Sequence, residues 1–200
     1  MLEKQRTTPD VYPLTLNALR VACNQSTNRD PVVTYDEEMI RAALQRLGQR
    51  GWARLASGPG SRAIKYRHLL DEALEVTEPD LALLCVLMLR GAQTPGELKA
   101  RTDRMHPFGS IAEVHEALDS LIERELAARL PRRPGQKEER YVQLLGGDDA
   151  EAAAQAGQPR QAAGGELEER VSRLEEEVAT LRQALESLAR MSPRPPGPAP

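Results

Sequence analysis

A mainly helical fold with small β-hairpins (α+β), built twice along the chain and followed by one long helix, is what the sequence predicts. Three observations carry that prediction. First, "ARLASGPGSRAIKY" at 53–66 returns as "ARLPRRPGQKEERY" at 128–141, and six of the fourteen positions are identical. Second, the helix-like stretch before each copy matches as well: Leu44, Leu47 and Arg50 fall on Leu118, Leu121 and Arg124. Third, apolar residues make up 40% of the chain but aromatic ones only 3%, so the cores must be assembled from Leu, Val, Ile and Ala.

Taken in order, each half opens on a Thr-Pro pair, Thr8-Pro9 and Thr94-Pro95. Threonine as N-cap with proline at the first helical position is a helix start. A second helix comes next, then two short strands around a Pro-Gly loop: "WARLA" to "AIKYR", and "AARLP" to "RYVQLL". A compact helical unit closed by such a hairpin is a winged helix, and the hairpin is its wing. The expected domains are therefore 1–70 and 77–146, joined through 68–77. The second half also has a full leading helix, opened by Thr77 and Asp80 in a capping-box pattern. The equivalent helix of the first half should precede Thr8, where only "MLEKQR" is available. Leu14, Leu16, Leu19 and Ile40 are thus expected to be under-packed unless another segment covers them.

Beyond residue 146 the composition changes. Residues 147–165 read as a flexible Ala/Gly-rich linker and 191–200 as a disordered Pro-rich tail. Between them, 166–190 place Leu167, Val171, Leu174, Val178, Leu181, Leu185 and Leu188 at alternating steps of four and three. That is a heptad seam, predicting a coiled coil and a homodimer. In a parallel pair Arg170 faces Glu175, and Glu177 faces Arg182.

The apolar run "LALLCVLML" is too short to span a bilayer, and no signal peptide precedes it. Cys23 and Cys85 have neither CxxC spacing nor a nearby histidine, so a reduced, cytoplasmic compartment fits, with both thiols in the core. The histidines His68, His106 and His115 share no motif with cysteine or acids. "SGPGSR" lies between strands rather than at a helix N-terminus, which excludes a P-loop. No catalytic residues, metal or cofactor are expected, and no ligand pocket is legible.

The strings "TTPDVYPLTLNALRVACNQSTNRDPV", "MLRGAQTPGELKAR", "SGPGSRAIKY" and "RPGQKEERYVQL" together resemble the YceH-type family of bacterial proteins over residues 3–145. The resemblance implies two winged-helix domains and a cytoplasmic protein, and brings no assigned activity with it. This chain departs from the pattern in its short first helix and its appended heptad segment.

A winged helix reads duplex DNA with its third helix in the major groove and its wing on phosphates. The first half suits that use. Opposite its apolar stripe of Ile40, Leu44 and Leu47 stand Glu38, Gln45 and Gln49, flanked by Arg41 and Arg46. The wings add Arg62, Lys65 and Arg67, then Arg132, Arg133, Lys137 and Arg140. In the second half Ile111, Val114, Leu118 and Leu121 are expected inward, leaving Glu113, Glu116, Asp119 and Glu123 outward. Four carboxylates repel DNA and suit a basic protein partner instead. The polar stretch "ACNQSTNRDPV", with Asn24, Gln25, Asn28 and Arg29, reads as capping and turn chemistry ahead of a contact loop. Two function classes result: a DNA-associated regulator, or a protein-interaction scaffold built on the acidic second domain and the coiled coil.

Overall fold

The computed structural model opens on helix α1, Leu2–Thr7; it describes residues 1–56, 63–132 and 138–146. The Thr8 side chain caps no helix. Its hydroxyl donates to the Lys4 carbonyl, and Pro9–Val11 form a single 3-10 turn. A two-residue strand β1, Leu14–Thr15, comes next, and helix α2 runs Leu16–Cys23. Its cap is Thr15, whose hydroxyl accepts from the Ala18 amide at 3.2 Å. The expected Thr-Pro start is therefore displaced by seven residues, because Pro13 and β1 hold the chain extended first.

Helix α3, Glu37–Gln49, is capped by Asp36, whose carboxylate accepts from the Met39 amide at 2.8 Å. The hairpin strands are β2, Ala53–Leu55, and β3, Lys65–His68. Strand β3 pairs antiparallel with both β2 and β1, placing Leu14 opposite Tyr66 and Ala53 opposite His68. This third strand is not legible in the sequence, and it closes the first core. Leu14, Leu19 and Ile40 are buried together with Leu44, and Met1, Tyr12, Leu16, Cys23 and Tyr66 pack around them. The expected under-packing is thus corrected: the two tyrosines and Met1 supply the cover, and only Leu16 stays half-buried.

The connection through 68–77 contains a further short helix, α4, Leu70–Leu74, with Leu70 buried. The second half matches its prediction closely. Helix α5, Glu78–Arg90, opens on Thr77, and the Asp80 carboxylate accepts from the Thr77 amide at 3.0 Å. Helix α6, Pro95–Thr102, and helix α7, Ile111–Glu123, precede strands β4, Ala127–Leu130, and β5, Arg140–Gln143. Leu84, Leu98, Val114, Leu118, Leu121 and Tyr141 are fully buried. One expectation fails: Ile111 is 41% exposed, since it opens α7 directly after the Ser110 cap and lies before the helix reaches the core.

The two halves share contacts. Leu2 and Trp52 pack on the second core, Arg6 pairs with Glu78 at 2.8 Å, and the Asp30 amide donates to the Leu89 carbonyl at 2.9 Å. All described residues accordingly belong to one compact unit. Cys85 is buried in α5, and burial pushes its thiol up to about 11, which keeps it protonated. Cys23 is only half-buried.

The two Thr-Pro pairs make opposite predictions for stability. The Thr94 hydroxyl accepts from the Glu97 amide at 3.2 Å, while the Glu97 carboxylate accepts from the Thr94 amide at 2.9 Å. Thr94→Ala is expected to cost about 1 kcal/mol. Thr8→Ala should stay within about 0.5 kcal/mol, as for a surface change that removes no cap. Urea unfolding of both variants decides; equal losses would show that the Thr94 box is not what starts α6.

Candidate nucleic-acid interface

Helix α3 and the β2–β3 hairpin frame a shallow surface groove of about 340 Å³. Sequence and geometry agree on how it arises. Ile40 and Leu44 fix the buried side of α3, so Arg41 and Gln45, one step round the helix, face outward and are exposed. Arg46 is exposed beside them. Arg41 lies 4.0 Å from Glu37 one turn earlier, and its side chain is 63% exposed, so that pair holds it loosely. Across the groove, Ala53 is buried and Arg54 points outward. Arg41, Gln45 and Arg54 line the groove together, with Tyr66 and the 61%-exposed Leu55.

Sequence reasoning missed Arg54, although the repeat contains the signal for it. It aligns with Arg129, and Gln45 aligns with Asp119. The same positions are electrostatically opposite in the two halves. Arg129 is held by Asp119 at 3.7 Å and Glu139 at 3.4 Å, with its guanidinium 5.7 Å above the Tyr141 ring. Arg54 makes no ion pair among the described residues. Replacing the aspartate of α7 by the glutamine of α3 leaves the strand arginine without its counter-charge.

The acidic residues of α7 are all exposed, but they are not equivalent. Glu113 belongs to the helix start: its carboxylate accepts from the Gly109 amide at 2.9 Å, and its own amide donates to Ser110 Oγ at 3.2 Å. Asp119 is engaged by Arg129. Only Glu116 and Glu123 remain as outward carboxylates with no hydrogen bond or ion pair among the described residues. That arrangement weakens the case for a partner-binding acidic face.

The wing cations divide similarly. Lys65 lies in β3 opposite Thr15 and is half-buried. Arg67 pairs with Glu72 at 2.7 Å, and Arg140 reaches the Ala92 carbonyl at 2.8 Å and Glu97 at 3.1 Å. Arg132 is 61% exposed and 3.8 Å from Glu139. Arg62, Arg133, Lys137 and the seam from Leu167 to Leu188 lie outside the described residues.

The polar stretch after α2 is structural, as its composition indicated. Asn24 brackets Tyr35 twice, accepting from its amide and donating to its carbonyl at 2.7 Å each. Arg29 makes a two-pronged pair with Glu3, at 2.7 and 3.3 Å, and also donates to the Ala22 carbonyl at 2.7 Å. Among the described residues, no group of three or more His, Cys, Asp or Glu could hold a metal, and no helix is long and apolar enough to cross a membrane.

Helices α2 and α3, the strand β1 and the β2–β3 hairpin together define a winged-helix protein. More specifically, the chain belongs to the family described as "Protein of unknown function, DUF480", whose model matches residues 1–136. A UPF0502 protein from Pelobacter propionicus is 48% identical over 198 residues, covering 96% of this chain and 89% of that protein. The UPF0502 protein YceH of Salmonella typhimurium is 44% identical over 195 residues, covering 94% and 90%. Among solved structures, the apo form of wild-type MarR from E. coli is similar at 18% identity with a TM-score of 0.33, covering 78% of this chain and 98% of that one. A mutant MarR solved with operator DNA scores the same at 19% identity, covering 76% and 89%. Likeness at that level bears on no residue of the groove.

Proposed function

We propose that this chain is a non-catalytic, DNA-associated regulator made of two winged-helix units, of which the first contacts duplex DNA. Helix α3 enters the major groove with Arg41, Gln45 and Arg46, and Arg54 with the wing residues Arg62 and Lys65 meets the flanking phosphates. Arg132, Arg133 and Lys137 of the second wing extend the phosphate contact. Glutamine offers a donor–acceptor pair suited to an adenine edge, and arginine suits guanine or phosphate. The observation that supports this reading is the contrast between Arg54, beside Gln45 and without an ion pair among the described residues, and Arg129, paired with Asp119. A cation without a counter-charge at the mouth of a groove is set up for an anion from outside. The heptad segment 166–190 would pair two chains and present two such sites together, raising avidity without new contacts.

Fluorescence anisotropy of a labelled generic duplex, titrated from low to moderate salt, tests this. Binding should weaken steeply as salt rises, because each phosphate contact releases counterions. Arg54→Ala should weaken binding and reduce the salt slope by about one. Arg129→Ala, the matching change in the second half, should leave the slope alone. Absence of binding at low salt, or equal effects from the two alanines, would overturn the proposal.

A further inference from the structure

Helices α1, α5 and α6 all end beside one charged pocket of about 180 Å³, and Thr7, Arg90 and Arg101 line it from their last turns. Lys4 of α1 and Arg104, just past α6, bring the lining cations to four, against a single lining carboxylate, Glu3. The loop after α2 adds Thr27 and Asn28. Both halves of the molecule therefore contribute, and the pocket shares no residue with the α3 groove.

Most of this charge has no internal counterpart. Glu3 is occupied by Arg29, at 2.7 and 3.3 Å, and lies 3.9 Å from Lys4. Arg101 stands 3.5 Å from Glu97, a carboxylate that Arg140 approaches more closely, at 3.1 Å. Arg90 and Arg104 have neither an ion pair nor a side-chain hydrogen bond among the described residues. The Nε–H of Arg90 is moreover buried without an acceptor, so that part of the guanidinium has left water and gained no partner. Thr27 and Asn28 are exposed, and their backbone carbonyls accept from Gln25 and Arg29 at 2.8 Å each, which leaves both side chains uncommitted among the described residues. A cation in a last turn offsets its own helix dipole. That role accounts for one charge per helix, but not for three helices delivering theirs to one concavity, nor for Arg104 outside any helix.

Size and charge together select the occupant. The pocket is smaller than the ~300–1,000 Å³ that encloses a drug-sized ligand, so it takes the anionic end of a molecule rather than the whole. A lone phosphate monoester, at about −1.5 to −2, would leave four cations under-neutralised. We propose that this pocket binds a small molecule through two adjacent phosphate groups. Arg90 and Arg104 grip the phosphates with paired N–H donors, Lys4 and Arg101 add charge, and Thr27 and Asn28 supply neutral donors. Because the contacts come from both halves, the ligand ties them together and stabilises the folded chain. The site stands whether or not the α3 groove binds DNA.

Inorganic pyrophosphate is the probe, titrated into the full chain by calorimetry and followed by thermal unfolding, both at constant ionic strength. Binding should saturate and raise Tm. Orthophosphate and sulfate should bind at least about tenfold more weakly, since each forgoes a hydrogen bond between charged groups. Arg90→Ala and Arg104→Ala should each weaken pyrophosphate by about tenfold, for the same reason. Arg104 is exposed, so its variant tests the site even where Arg90→Ala disturbs folding. Arg20→Ala removes an exposed cation of α2 that lies outside the pocket, and it should bind pyrophosphate as before. No saturable binding of pyrophosphate, equal binding of sulfate, or unaltered binding to Arg104→Ala would overturn the proposal. So would a labelled duplex that pyrophosphate displaces and Arg104→Ala weakens, which would make the pocket a contact for nucleic-acid phosphate.

Discussion

Glu3→Gln is expected to destabilise the fold by about 3 kcal/mol, the cost of leaving one member of a buried ion pair alone. The partner left behind is Arg29, whose side chain is 7% exposed and whose guanidinium cannot shed its proton to escape the penalty. Glutamine keeps the size of glutamate and one acceptor oxygen, so the loss reports charge rather than volume. Removing both partners should be far milder. Glu3→Leu combined with Arg29→Met takes the desolvation cost away along with the attraction, and such replacements are often neutral or stabilising. Urea unfolding of the single and double variants measures this directly. Should Glu3→Gln cost less than about 1 kcal/mol, the pair behaves as a surface bridge, and α1 is not anchored through it.

The second large effect is a loss of stability as pH falls below neutrality. His68 is 4% exposed, and burial lowers its pKa from 6.5 to about 4; the nearby Asp71 opposes this, and Arg67 and Arg6 reinforce it. The ring is held neutral on both sides. Its Nδ1 accepts from the Leu70 amide at 3.3 Å, and Nε2 is bonded to the Gln5 side chain. Between pH 6.5 and 4 the unfolded chain therefore binds a proton that the folded chain refuses. Stability from this group is complete above about pH 6.5 and falls towards pH 4, amounting to about 2 kcal/mol between pH 7 and 5. Carboxylates titrate at the acid end of that range, so the comparison with His68→Gln isolates the histidine. The variant should show a visibly flatter profile between pH 7 and 5. Parallel profiles would mean that the imidazole accepts its proton in the folded state.

How much of the fold is legible in the sequence depends on distance along the chain. The hairpin strands, the Thr77 box, the Thr94 cap and the buried stripe of α7 from Val114 on arise from neighbours within a few residues, and they appear where the sequence places them. The features that the sequence hides depend on partners far away. Strand β1 is two residues long and exists only because Tyr66 and Lys65 pair with it; the hydroxyl of Tyr12 then accepts from the His68 amide across 56 positions. The cover over Leu14 and Ile40 comes from the same long-range closure. Arg54 is a different case. Its alignment with Arg129 is visible in the repeat, but its significance requires seeing that Asp119 neutralises one arginine while Gln45 leaves the other alone.

The docking of α1 on α5 has a consequence for how the chain is made. Leu2 is synthesised some eighty positions before the α5 residues that shelter it, from Leu81 to Leu87. At bacterial elongation rates of roughly 5–20 residues per second, that interval lasts on the order of 4–16 seconds. Throughout it, helix α1 waits without its final surroundings. Helix α1 reaches its final surroundings only once α5 has been made.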